Sequence, residues 1–506
     1  MVGTISANPD VELKVSFGYH CHEGKCCPCD VPGASKFVLP EIGFSRNGGF
    51  SFSCLSGAAL SANATLANTN ICNGVIGEEI LPSRDSPKSF RKISSCSSFS
   101  KLELLSSSVQ SSLSTWSCSP SSQSDSFGND SFLQPMSAPS KSQGFLNAME
   151  VQAAGGAAGE DRVQAICSEE NGLLFCGIYD GFNGRDAADF LAGTFYDTIM
   201  SYLSPFLGLE WKQDFVNVFD SSEIIGSLSS AFNGLGEKTE LQLSRYQQGV
   251  VDGLKNALAD AENEFLHMVE QEMDDRPDLV SVGSCVLAVL LHGNDLYTLN
   301  LGDSRAVLAT YGQFGGNSCT ELKAVELTEN HNVDNEVEKE RLLSDHPDDP
   351  TTIVMGKVKG KLKVTRALGV GYLKKEVLNN ALMGILCVRN LKSPPYISTQ
   401  PAISVHTLSK DDHFVVVASD GLFDFFTNDE VVKLIHSFIL ENPASDPAKL
   451  IVEQLLMRAA DCAGLALEEL MNIPAGKRRK YHDDVTIIVI ILGSNQRTLK
   501  ASTRIL

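Results

Sequence analysis

The sequence predicts an α+β fold built on antiparallel sheets, and three observations predict it. Apolar runs of strand length recur with tight Gly-, Asn- and Asp-containing turns between them. Helical periodicity is gathered into a few amphipathic stretches and does not alternate strictly with single strands, as a parallel sheet would require. The apolar runs also end repeatedly in aspartate. The first does so at Leu173-Leu174-Phe175-Cys176-Gly177-Ile178-Tyr179, which runs into Asp180-Gly181 and an Asn183-Gly184 turn. A buried strand there delivers a carboxylate to its C-terminal edge, and the glycines let the backbone turn tightly beside it.

Taken in order, residues 1–145 are dominated by serine blocks such as 94–98, 106–108 and 119–122. Their apolar residues keep neither a helical nor a strand period. This Ser-rich region is predicted to be disordered, because it has too little apolar surface to offset the entropy of ordering. It fits a phosphorylation platform and a plain spacer equally well. His20-Cys21-His22 and Cys26-Cys27-Pro28-Cys29 are zinc-type ligands, but they are cramped and no second pair follows at finger distance, so a metal-free Cys-rich tail is expected.

The folded part is placed at 146–495, with 496–506 as a C-terminal tail. A strand is predicted at 163–167 and a helix at 185–203, followed by a Ser- and Gly-rich connection over 204–246 that reads as an insertion. Val251, Leu254, Leu258, Ala261 and Phe265 then mark one face of a helix at spacings of three and four, a core stripe with no chemistry assigned to it. Strands at 284–291, 296–301 and 305–310, joined by turns at 292–295 and Gly302-Asp303-Ser304, read as a β-meander. A charged helix follows at 336–343, and 374–400, with Pro394-Pro395, reads as an irregular flap. The strand at 414–419 ends in Asp420-Gly421. Thr427 and Glu430 form a capping box, Asp446-Pro447 opens a further helix, and Asp483-Asp484 precedes a strand at 485–492.

The 506 residues carry a formal charge of −21, which argues against nucleic acid and anionic membrane as partners, since both select a basic face. No run of about 18 apolar residues is present, so no membrane insertion is expected. The N-terminus has neither a signal-peptide core nor the glycine at position two that myristoylation needs. Of the 14 cysteines, those beyond residue 120 follow no framework spacing. An intracellular, reduced protein is expected, in the cytoplasm or nucleus, with Cys176 and Cys285 as inert packing. The basic run Lys477-Arg478-Arg479-Lys480 reads as a solvated loop in preference to a nuclear signal.

The carboxylates at strand ends are Glu160, Asp161, Asp180, Asp303, Asp420, Asp424, Asp483 and Asp484. Hard divalent ions such as Mg²⁺ and Mn²⁺ take oxygen ligands, and a few bridging aspartates suffice to hold them. Two ions about 4 Å apart would activate water and clamp a phosphoryl oxygen, the chemistry of a phosphate-ester hydrolase without a covalent intermediate.

Eight ordered motifs carry a resemblance. They are Glu160-Asp161, Tyr179-Asp180-Gly181-x-x-Gly184, Ser281-x-Gly283-Ser284, Gly302-Asp303-Ser304-Arg305-Ala306, Glu336-x-x-x-Glu340-Arg341, Thr365-Arg366-Ala367-x-Gly369, Ser419-Asp420-Gly421-Leu422-Phe423-Asp424 and Asp483-Asp484-x-Thr486. In this order they resemble the metal-dependent protein phosphatase 2C family over about 150–495, and the sequence around Asp180 resembles its plant poltergeist-like branch. The resemblance implies two central antiparallel sheets flanked by helices, an α-β-β-α sandwich. It implies a monomeric serine/threonine phosphatase acting on phosphoproteins, with receptor-like or other kinases as candidate partners. It also implies two Mg²⁺ or Mn²⁺ ions. Asp180 would bridge them, the Gly181 carbonyl would bind one, Asp420 and Asp483 would hold the second, and Glu160 would reach a metal-bound water. Asp303, with Asp424, would serve a weaker third site.

Two positions depart from the family. The histidine that usually follows Asp-Gly, a proposed general acid, is Phe182, and the phosphate-binding arginine four residues before Glu160 is Gly156. Arg162 and Arg185 are the stand-ins considered for the arginine, and His482 for the acid, with a surface role the better expectation for His482. The intact metal set predicts slow or selective turnover. The rival readings are a pseudophosphatase that binds phosphoproteins or kinases, and a scaffold whose tail is the working part.

Overall fold

A computed structural model describes residues 16–20, 52–62, 72–73, 151–168, 172–207, 232–313, 320–442, 445–474 and 476–492. Two antiparallel sheets stack face to face. One runs in the order Ala402–Thr407, Asp295–Leu301, Val286–His292, Leu173–Tyr179, Asp161–Ser168, Val151–Ala158, Cys72–Asn73. The other runs Ser16–His20, Phe52–Leu60, Val485–Leu492, Asp412–Ala418, Arg305–Gln313, Thr320–Glu326.

Both faces of each sheet are covered, which is why the strands read as continuous apolar runs. In Val485–Leu492 the side chains alternate. Ile488 and Ile490 enter the layer between the sheets with Leu174, Ile178, Leu287 and Val415, while Ile487 and Val489 face helices Asn428–Glu441 and Pro447–Ala463. Helices Asp186–Leu207 and Phe232–Glu272 cover the outer face of the seven-stranded sheet, through Phe190, Phe195, Leu258 and Phe265. The α-β-β-α sandwich is therefore present. Thr427 and Glu430 form their capping box and Asp446 caps the following helix.

Three expectations need correction. First, disorder does not extend over all of 1–145. Phe52–Leu60 is an internal strand, with Gly57 opposite Ile488 and Leu55 opposite Ile490, and Leu55 and Ala58 are buried. Ser16–His20 and Cys72–Asn73 extend the two sheets. Phe52–Leu60 is made largely of Ser, Gly and Ala, so it shows no hydrophobic period. Its partner lies more than 400 residues along the chain, beyond the reach of any local pattern. The cysteines of the 21–29 cluster, the serine blocks and the 496–506 tail lie outside the described residues.

Second, the supposed connection 204–246 contains the first turns of helix Phe232–Glu272. Within that helix Ser244, Arg245 and Gln248 are exposed. Tyr246 packs against the core, and polar bonds tie the helix at this point, Tyr246 Oη to His292 Nδ1 at 3.0 Å and Gln247 Nε2 to Asp295 Oδ2 at 2.9 Å. Third, the 284–310 meander divides. Val286–His292 and Asp295–Leu301 pair in one sheet, whereas Arg305–Gln313 crosses to the other. Gly302, at φ 124°, makes the crossing, a conformation L side chains avoid.

Candidate metal centre

Strand register brings the aspartates to one end of the sandwich. Ala418 pairs with Ile487 and with Arg305, so Asp420, Asp483 and Asp303 leave the six-stranded sheet at the same edge. Tyr179 pairs with Arg162, and Leu301 with Val286, which puts Asp180 and Glu160 at the matching edge of the other sheet. Hydrogen bonds fix the loops: Cys285 N donates to Asp180 O at 2.8 Å, Ser419 N to Thr486 O at 3.0 Å, and Thr486 N to Ser419 Oγ at 3.0 Å. Gly181 is a glycine by necessity, since a Cβ there would stand 2.5 Å from the Glu160 carbonyl oxygen.

The electrostatics are those of a crowded, poorly compensated acidic cluster. Burial raises the Asp180 carboxyl well above its ordinary value, and the charges of Asp161, Asp420, Asp303 and Asp483 raise it further. Asp420 is raised by burial, then by Asp303, Asp483 and Asp424. Burial also raises Asp303 and Asp483, against a bond from Cys285 in the first case and the Arg479 charge in the second. Glu160 is raised by burial and by Asp484, while the Gly184 backbone N–H bonds to it. Such a set cannot all ionise without a cation among them. All the oxygens are hard donors, so the residues fit Mg²⁺ or Mn²⁺.

The eight collected carboxylates separate by role. Asp180, Asp303, Asp420, Asp424 and Asp483 share one field. Asp161 is buried and accepts from Thr486 Oγ1 at 2.9 Å. Asp484 accepts from Ala62 N at 2.6 Å and Glu160 N at 2.9 Å, and so ties the end of the N-terminal strand to the site. Cys285 is more than packing. Its Sγ lies 3.4 Å from Asp303 Oδ1, and ligand atoms of Asp180, Cys285 and Asp303 lie within 4.8 Å of one another. Burial and the Asp303 and Asp180 charges push its thiol up, so it acts as an S–H donor to Asp303.

Neither stand-in arginine reaches the cluster as a free cation. Arg162 is 1% exposed, its Nε bound to Asp189 at 2.6 Å and its Nη1 to the Gly159 and Asp161 carbonyls. Arg185 pairs with Asp189 at 3.4 Å. Phe182 forms a two-residue strand with Gly181 and lays its ring over Gly283. His482 is not a surface residue: it is 4% exposed. Its Nδ1 lies 2.7 Å from the Asp483 carbonyl, which only accepts, so Nδ1 carries the proton and Nε2 has none to give. Burial lowers its pKa and keeps it neutral.

Two features escaped the sequence reading. Arg479, placed in a solvated loop, donates from Nη1 to Asp483 Oδ1 at 2.6 Å. Glu338, outside the quoted motif positions, is the hub that Arg341, Thr365 and Arg366 all bind. The i, i+3 spacing from Glu338 to Arg341 was a visible signal for the second, and the i, i+4 spacing from Arg479 to Asp483 for the first.

A family model described as Protein phosphatase 2C matches residues 194–462. That span holds Asp303 and Asp420, and Asp180 and Asp483 flank it. The chain is 60% identical over 500 residues to Probable protein phosphatase 2C 40 of Arabidopsis thaliana, covering 98% of this chain and 99% of that one. It is 55% identical to Probable protein phosphatase 2C 39 of Oryza sativa subsp. japonica, covering 97% and 94%. Among solved structures it is similar to serine-threonine phosphatase 2C from Toxoplasma gondii, at 18% identity and a TM-score of 0.41, covering 68% of this chain and 95% of that one. The class is thus that of a protein phosphatase. More particularly, the chain belongs to the protein phosphatase 2C family, among its plant members. Among the described residues no helix is long and apolar enough to cross a membrane.

Proposed function

We propose that this chain hydrolyses phosphoserine and phosphothreonine in proteins, with two Mg²⁺ or Mn²⁺ ions held by Asp180, the Gly181 carbonyl, Asp420 and Asp483, and a weaker third ion at Asp303. The observation that supports it is the convergence of Asp180, Asp303, Asp420 and Asp483 from both sheets into one field of mutual repulsion, with Asp303 buried and the other three partly so. When bound, the ions supply an activated water and a clamp on the phosphoryl oxygens. The chain's own residues do the rest. Asp180 sits among the opposing acids, Cys285 orients Asp303, and Glu160, bonded by the Gly184 backbone N–H, would reach a water held by the ions.

With Phe182 seated on Gly283 and His482 without a proton at Nε2, neither residue protonates the departing alkoxide. Turnover of alkyl phosphoesters is therefore slow. The same observation favours the second reading, a phosphoprotein or kinase binder with little turnover. Free thiols at Cys167, Cys176, Cys285, Cys387 and Cys462 suit an intracellular compartment, cytoplasm or nucleus, and the reading is of a monomer, with phosphoproteins as the partners that the family match favours. The test is phosphate release from a phosphothreonine peptide by the full-length chain. Release with Mn²⁺ that stops on chelation supports the phosphatase; binding of the peptide without release supports the binder.

A further inference from the structure

We propose that Arg479 is the phosphate-recognising arginine of this chain, supplied by the turn before the Asp483 strand in place of the residue missing at Gly156. The proposal rests on the phosphatase reading above and names the group that seats its substrate.

A phosphoryl group held at a metal centre carries oxygens that point away from the ions, and a guanidinium fork is the side chain best matched to them. Such a group must sit beside the ligand carboxylates, keep donors free for substrate, and be reachable from solvent. Arg162 fails on the last two, being 1% exposed with Nε on Asp189 and Nη1 on the Gly159 and Asp161 carbonyls. Arg185 is directed to Asp189. Arg479 meets the conditions. Its side chain is 46% exposed, and Nη1 reaches Asp483 Oδ1 at 2.6 Å. The carboxylates that stabilise its charge are Asp483, Asp484, Glu160 and Asp180, on both sides of the site.

An exposed i, i+4 ion pair is commonly of little energetic weight. What distinguishes this one is its acidic partner, a proposed ligand at the rim of the metal centre. Asp483 Oδ1 also accepts from Asp484 N at 2.8 Å, so the Arg479 and Asp484 bonds fall on the same oxygen of that carboxylate. The Arg478–Lys480 turn that carries the arginine is itself fixed. Tyr481 N and His482 N both return to Arg478 O, and Gly476 N bonds Ala62 O at 2.6 Å. The guanidinium is thus presented from a held turn.

The test uses the full-length chain with Mn²⁺ and inorganic phosphate as the probe, read by calorimetry, beside steady-state kinetics on a phosphothreonine peptide. Arg479→Ala should weaken phosphate binding roughly tenfold or more, the scale of lost bonds to a charged group, and raise KM more than it lowers kcat. Arg479→Lys, which keeps charge but loses the fork, should recover part of the loss, and Lys480→Ala, on the same turn, should change neither value. Mn²⁺ affinity of Arg479→Ala should hold or tighten, because a cation beside a ligand has been removed. Unchanged phosphate affinity in Arg479→Ala overturns the proposal alone. So does a loss matched by weaker Mn²⁺ binding, which would make Arg479 a positioning residue for Asp483. If the unaltered chain neither binds phosphate with Mn²⁺ nor turns over, the phosphatase reading falls and the proposal with it.

Discussion

At the scale of the residue, Asp180 is held well above the ordinary carboxylate range by burial of its carboxyl and by the charges of Asp161, Asp420, Asp303 and Asp483. Removing its charge should relieve the repulsion and leave too little charge to hold the ions. Asp180→Asn is therefore expected to abolish Mn²⁺-dependent phosphate release while raising the melting temperature in chelator, two readouts that move in opposite directions. Phe182 gives the second prediction. Its ring rests on Gly283 at the margin of the core, and Phe182→His should speed hydrolysis of an alkyl phosphopeptide about tenfold, the low side of the general-acid range. Aryl phosphate hydrolysis, which needs no acid, should change little. His482→Ala should leave both rates unaltered and lower stability, because the lost side chain is buried and holds the Asp483 carbonyl. Collapse of the alkyl rate in His482→Ala would instead make it the acid.

At the scale of the element, the strand Phe52–Leu60 decides which pieces of this chain can fold. Cutting at residue 145 removes the partner of Val485–Leu492 and with it Leu55, buried between the sheets. Residues 146–506 should therefore be insoluble or unfolded, whereas Leu55→Ala in the full chain should cost about 2–5 kcal/mol in urea unfolding. A soluble, active 146–506 fragment would contradict the strand's role. The helix Glu336–Asp345 carries a separate prediction. Burial raises the Glu338 carboxyl, but bonds from Arg366, Arg341 and Thr365 outweigh burial and hold it well below the usual range. A depressed carboxyl contributes stability that is full above its unfolded value of 4.5 and is lost as the pH falls toward the folded one. Glu338→Gln should remove about 3 kcal/mol at pH 7 and flatten the loss of stability between pH 5 and 3 in denaturant titrations.

At the scale of the whole molecule, the sandwich was legible because covered sheets and amphipathic helices leave periods in the sequence, at Leu173–Tyr179, Val485–Leu492 and the Val251–Phe265 stripe. Phe52–Leu60 was not legible, since Ser, Gly and Ala carry no period and its partner is distant. The crossing at Gly302 was hidden because a turn residue looks the same whether the chain returns to its own sheet or enters another. Of the site, the aspartates stood out as strand-end carboxylates. The division of Asp161 and Asp484 from the rest depends on backbone partners no spacing reveals, and Cys285 on a neighbour 18 residues away. The central claim is that these strand-end carboxylates form one divalent-metal centre, and calorimetric titration of Mn²⁺ into the full-length chain and its Asp180→Asn, Asp420→Asn and Asp483→Asn variants tests it most directly. The account predicts saturable binding to the unaltered chain that each substitution weakens. Equal affinity in all four proteins would contradict it.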